Sequence, residues 1–298
     1  MEVPIKLRRI ASKILYRSKT LRKIYVKTRF SEEIKFSYNT SNSIALKSKK
    51  SILFFTTHKC ASMYVGKTLK KILKPNKDMI FIDLNAYRSA KGSIVSSLES
   101  MFVGAPENID DPYLLERVYF EPSGYFFGPL RHIGYLDLVK NIDDYKIMLM
   151  LRDPRNMLVS LYSTIRYNHI LPFASVKDRK RMIEDRKKVS SQTIDEFVLD
   201  QKDFWLNRYQ LYCNKLLGKE NVLFLRFEDM VNQKESWLSS IIYFLDVHPD
   251  EKMTSKIIRE YKTEQVNISN YKRKLRSETI DILNHDFHDI LNLLNYEL

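Results

Sequence analysis

Glycine is scarce. The 298-residue chain has seven, about 2% against a usual share near 7%, so a fold built on several glycine-rich phosphate loops is hard to make from it. Cysteine is scarcer still. Cys60 and Cys213 lie far apart, which excludes a disulfide framework and a cysteine-based metal site, and a reducing, cytoplasmic setting is expected. No run of 18 apolar residues occurs, so no transmembrane helix is expected. No metal-ligand spacing is present either, and no metal is expected. With 44% hydrophobic residues the chain is too apolar for intrinsic disorder. No internal repeat or domain linker stands out.

Positive charge is abundant. Lys+Arg number 50 against 36 Asp+Glu, a formal net charge of +14. An acidic partner follows: nucleic acid, an anionic membrane surface, a polyanionic glycan or a phosphorylated cofactor. No recognised nucleic-acid module accompanies the charge, and nucleic acid is not an expected partner. Residues 1–30 carry ten Lys/Arg and one acid, Glu2, with Ile10, Ile14, Leu21 and Ile24 or Tyr25 at helical spacing. This predicts a basic amphipathic helix, either packed on the domain or lying on an anionic membrane at its inner face. A transit peptide ranks lower. No apolar stretch follows the charges as in a secretory signal.

Short apolar runs at 51–57, 79–84, 146–152 and 221–227 read as buried strands. Helical patterns cover 62–74, 155–168, 193–217, 233–246, 250–262 and 277–294. Strands alternating with helices predict a parallel sheet covered on both faces, with ligands at the carboxyl ends of the strands. Residues 85–130 read as irregular. Gly124, Gly128 and Gly134 fall within eleven residues of one another, so that segment needs special backbone geometry. The charge cluster at 175–190 is read as a solvated helix face or loop, or as a mobile basic lid over an anionic substrate.

Two segments carry chemistry. The first is Thr56-Thr57-His58-Lys59-Cys60-Ala61-Ser62-Met63-Tyr64. A strand–loop–helix corner aims backbone N–H groups at one spot, Lys59 adds a charge and Ser62 a hydroxyl; the bland alternative is an ordinary turn with Ser62 as N-cap. The second is Leu149–Tyr162, where a strand ends in Arg152 and Asp153-Pro154 opens a helix. Arg152 can fork onto a phosphate, with Ser160 reaching the same group, or it can simply pair with Asp153.

Lys59–Tyr64 after its strand, R-D-P-R-x-x-L-V-S-L-Y at 152–162 and Leu225-Arg226-Phe227-Glu228-Asp229-Met230 resemble the sulfotransferase family over roughly residues 50–294. The resemblance implies a three-layer, P-loop-like α/β domain spanning 50–298. It also implies transfer of a sulfuryl group from 3′-phosphoadenosine-5′-phosphosulfate (PAPS), releasing adenosine 3′,5′-bisphosphate (PAP). By the same likeness, residues Lys59, Cys60, Ala61, Ser62, Met63 and Tyr64 form the 5′-phosphosulfate loop. Arg152 and Ser160 hold the 3′-phosphate, Phe227 faces the adenine, and Arg273 and Lys274 close over the phosphate. The loop departs from the family pattern: Ala61 stands where glycine is usual, and Met63 where a second hydroxyl is usual. Phe227 replaces a frequent tyrosine. The proton acceptor is expected to be His132, twenty residues before Arg152, with Glu121 second. His58 is expected to point away from Lys59, and His169 to line the acceptor pocket.

The acceptor is expected to bear a hydroxyl or amine, on an anionic glycan or glycolipid. A P-loop kinase using a degenerate Walker A at 61–68 is the alternative, with Asp153 as a magnesium ligand. The glycine shortage counts against it, as does the place of Gly66-Lys67-Thr68 inside a helix. A non-catalytic polyanion-binding protein is a third reading, on net charge alone.

Overall fold

A computed structural model describes residues 5–37, 49–73, 79–91, 120–260 and 268–297. Five strands form one sheet: β1 (Ile52–Thr56), β2 (Ile80–Ile82), β3 (Tyr125–Leu130), β4 (Lys146–Leu151) and β5 (Val222–Arg226). The order is β2-β3-β1-β4-β5 and every neighbouring pair is parallel. The expected parallel sheet is therefore present, but β3 lies in the stretch read as irregular. Residues 92–119 of that stretch, and the expected helical ends at 74 and 261–262, fall outside the described residues.

Alternation along the strands divides the core into two halves. Leu53, Phe55, Phe127, Ile147 and Leu149 face one side; Ile52, Phe54, Phe126, Met148 and Met150 face the other. Helices α4 (Ser62–Leu73), α10 (Lys234–Leu245) and α11 (Glu251–Glu260) cover the second side. Helices α6 (Pro154–Ser163), α8 (Ile194–Leu216), α13 (Ser277–Asp286) and α14 (His288–Leu293) cover the first. Burial on both faces explains why the strands read as continuous apolar runs. Gly128 in β3 is a point of close approach: an added Cβ would lie 2.8 Å from Phe54 Cβ in β1.

Capping chemistry sets the helix starts. Asp153 accepts the Arg155 N–H at 2.8 Å and Pro154 occupies the first turn of α6. Thr193 and Glu196 cap α8 reciprocally. The 175–190 cluster is helix α7 (Val176–Ser191), capped by Ser175 and seated by buried Met182 and Val189. The single amphipathic helix expected over 1–30 is two helices, α1 (Ile5–Arg17) and α2 (Lys19–Arg29), because Ser18 caps α2 by accepting the Leu21 N–H. A third, α3 (Ser31–Ser37), follows. Phe30 packs on Tyr87 of α5 (Leu84–Lys91) and ties this segment to the domain.

The chain leaves β1 for the β3/β2 side, while β4 leads to β5 on the other. The crevice between the carboxyl ends of β1 and β4 is thus the switch point, where α/β sheets bind ligands.

Candidate functional site

The ends of β1, β4 and β5 are level: Thr56 is opposite Met150, and Leu151 opposite Arg226. Residues immediately after these strands must meet. Arg152 Nη1 donates to the Lys59 carbonyl at 3.1 Å, and its guanidinium lies 4.3 Å from the centroid of the Phe227 ring. Two loops 93 residues apart in sequence form one wall. Helix α8 (W205, Y209, Y212) fastens it from behind. Tyr209 donates to the Arg152 carbonyl at 2.6 Å and Tyr212 to the Thr56 carbonyl at 3.3 Å.

The Asp153 carboxylate binds Arg155, with Nη2 2.8 Å from Oδ2 and Nε 3.1 Å from Oδ1. Arg155 is anchored further by Asn284 Oδ1 and the Glu297 carbonyl, each at 2.6 Å, and by Tyr271, whose ring centroid is 4.4 Å away.

The Lys59–Tyr64 loop is tight. Lys59 (φ 67°) and Ala61 (φ 50°) are both left-handed, at a cost of about 1–2 kcal/mol each for residues with a Cβ. At 61, this is the conformation that the family's usual glycine takes freely. Ala61, not Ser62, holds the cap position of α4: its carbonyl accepts from Tyr64 and Val65. Ser62 is the first helical residue, and its hydroxyl accepts from Arg131 Nη2 at 3.0 Å. Cys60 is sealed, with its thiol 3.0 Å from Thr57 Oγ1 and pushed up to about 11 by burial, so only its backbone faces a ligand. Met63 is exposed. Tyr64 turns toward α11, where its hydroxyl donates to the Ile257 carbonyl at 3.4 Å. Gly66-Lys67-Thr68 lie inside α4, away from the corner a Walker loop requires.

Several site residues were not visible in the sequence. Arg131, just past β3, is half-buried, and its enclosed Nε makes no hydrogen bond. Arg208, on α8, donates to the Arg131 carbonyl. Lys59 is held down to about 8, first by burial and then by Arg152 and Arg131. Like charges are gathered into one crevice, an arrangement suited to binding anions. Asp83, at the carboxyl end of β2, is the carboxylate that acts on Arg131. Burial raises its own affinity for a proton, and its Oδ1 caps α5 by accepting the Ala86 N–H at 2.9 Å. Glu228 sits beneath Asp153, accepting the Asp153 N–H at 3.2 Å and the Tyr296 hydroxyl at 2.8 Å; burial pushes it up to about 7.

The two expected proton acceptors fall at opposite ends of the sheet. Glu121 is exposed at the amino end of β3, across the sheet from Lys59. His132 stands at the carboxyl end, with its Nδ1 3.3 Å from Arg208 Nη2. His58 packs edge-on against Trp205 and feels Arg131, Arg208 and His132, with burial first keeping it neutral. His169 is also held neutral, down to about 4 by burial and then Arg186.

Phe227 is 3% exposed, with Arg152 stacked on its ring. Ser160 is half-buried on α6. Arg273 and Lys274 are exposed on α12 (Asn270–Lys274), which is joined to α6 through Asn156 Oδ1 accepting the Tyr271 N–H at 3.2 Å.

Solved structures are similar to this chain. Mouse sulfotransferase SULT7A1, complexed with PAP, is 14% identical with a TM-score of 0.52, covering 86% of this chain and 93% of its own. Sulfotransferase STF9 from Mycobacterium avium is 11% identical with a TM-score of 0.47, covering 93% and 83%. No curated protein matches the sequence. The family model described as the sulfotransferase domain matches residues 122–288. That stretch begins after the Lys59 loop and takes in β3, β4, β5 and the R-D-P-R motif. It is more than half of the chain, and the chain belongs to the sulfotransferase family.

Proposed function

We propose that this sulfotransferase uses PAPS as its donor and moves the sulfuryl group to a hydroxyl or amine of an acceptor such as a glycan or glycolipid. The observation that carries the proposal is the hydrogen bond from Arg152 to the Lys59 carbonyl, which joins two anion-binding motifs into one crevice. The cation cluster fits a ligand with several anionic groups: the Nε of Arg131 is buried and makes no hydrogen bond. PAPS supplies an activated sulfuryl group whose departure leaves negative charge on a phosphate oxygen. Lys59 and the loop N–H groups stabilise that charge, with Arg131 beside them. Arg152 and Ser160 take the 3′-phosphate, and Arg273 and Lys274 approach it from α12. Asp83, with an affinity for protons raised by burial, takes the acceptor's proton. His132, at the carboxyl end of β3, is the alternative proton acceptor.

Two measurements test this. PAP at about 100 times its dissociation constant should stabilise the protein by about 2.7 kcal/mol, ATP with magnesium should not, and Arg152→Ala and Ser160→Ala should weaken PAP. Stabilisation by ATP with magnesium and none by PAP would reverse the choice of donor. Asp83→Asn keeps the cap on α5. It should lower kcat about a hundredfold or more, within the usual range for acid–base groups, at unchanged PAP affinity. Full activity in that variant excludes Asp83 as the proton acceptor.

A further inference from the structure

The N-terminal helices present two faces. One is docked on the segment after α6. Arg9 Nη2 donates to the Tyr167 carbonyl at 2.6 Å, Ser12 to the Leu171 carbonyl at 2.6 Å, and Arg22 Nη1 to the Phe173 carbonyl at 2.7 Å. Arg179 of α7 lies 4.4 Å from the Tyr16 ring centroid, and Tyr25 packs edge-on against Phe173. The other face carries Leu7, Ile10, Ile14, Leu21 and Ile24, each 46–54% exposed. Their spacing of three, four, seven and three makes one row that continues across the break at Ser18. From Ile5 to Arg29 there are ten Lys/Arg and no Asp or Glu.

We infer that this face binds an anionic lipid bilayer, with α1 and α2 lying in the plane of the surface. The charge and the row are both needed to reach this. A polyanion such as nucleic acid would satisfy the arginines and lysines but offers no apolar phase for five aliphatic side chains. A neutral apolar partner would offer nothing to the surplus of positive charge. An anionic bilayer supplies both, the headgroups to the basic residues and the acyl boundary to the row. Among the described residues no helix is long and apolar enough to cross a membrane, so contact through these helices is lateral. The docked face explains why they need not refold to bind. The hydrogen bonds to 167–174 are made on the side away from the row.

The test is co-sedimentation of the full chain with vesicles of phosphatidylcholine alone and of phosphatidylcholine mixed with phosphatidylglycerol. The protein should sediment with the mixed vesicles, less so as salt rises, and stay in solution with phosphatidylcholine alone. Ile10→Asp with Ile24→Asp should reduce partition by about tenfold per residue. An unchanged thermal shift with PAP shows that the doubly substituted chain is folded. The inference fails if the wild type ignores anionic vesicles or if the pair of aspartates leaves binding intact. It also fails if the same substitutions dissolve a dimer, because a second copy then covers the row. Since PAP binding is read separately, loss of the donor proposal and loss of the bilayer proposal are distinguishable.

Discussion

Lys59→Ala is expected to lower kcat by about a hundredfold or more, the usual cost of removing one donor aimed at developing charge. PAP affinity should fall less, because Arg152, Ser160 and the loop N–H groups remain. The distinction follows from position. Arg152 ends β4 and stacks on Phe227, whereas Lys59 heads the loop that opens α4. A pH signature separates this role from a structural one. Burial, Arg152 and Arg131 hold Lys59 down to about 8, so in the free enzyme it loses its charge as pH rises through 8. Because kcat/KM reports the free enzyme, it should fall above about pH 8, roughly tenfold per unit. Lys59→Arg should lack that descending limb, since guanidinium stays charged. An Ala variant with near-normal kcat, or an Arg variant with the same limb, would falsify the assignment.

The largest effect on stability is expected from Arg155→Met. Arg155 is 1% exposed and holds Asp153 through two hydrogen bonds. Removing it leaves a buried carboxylate without its cation, which costs about 3–5 kcal/mol, a large share of a typical domain's stability. The Asn284 side chain and the Glu297 carbonyl lose a donor as well. The melting temperature should fall by about 5–10 °C. Asp153→Ala together with Arg155→Met should lose much less than the two single changes summed, because the partners are removed together. A loss under about 1 kcal/mol in Arg155→Met would show that the pair is not holding α6 against the C-terminal segment.

The sheet is legible in the sequence because its strands are buried on both faces and so read as apolar blocks bounded by polar residues. β3 escapes that reading. Its sequence, YFFGPL, contains glycine and proline, the residues that normally punctuate a chain. Here the glycine serves a close approach to Phe54 and the strand continues through it. The N-terminal break is hidden for the opposite reason: the apolar row keeps its period across Ser18, so nothing in the pattern marks two helices. In the site, Lys59 and Arg152 stand in local motifs whose chemistry can be read from a few neighbours. Arg131, Arg208, Asp83 and Glu228 cannot be read so, since they come from four separate elements and gain meaning only when the sheet brings them together. His132 meets an arginine 76 residues away. No local pattern carries that information.

The gathering of Lys59, Arg131, Arg152 and Arg208 around one crevice has a consequence for the energy landscape of the whole chain. Elsewhere the levels agree: caps, strand patterns and the two halves of the core all favour the same structure. At the crevice they conflict, because the backbone must adopt left-handed turns and like charges must approach each other. This is local frustration, concentrated in the one place where a bound anion would reverse its sign. Repulsion among the cations becomes shared attraction once a phosphate lies between them. On the proposed function, binding the nucleotide therefore stabilises the folded chain by relieving the one conflict its sequence carries.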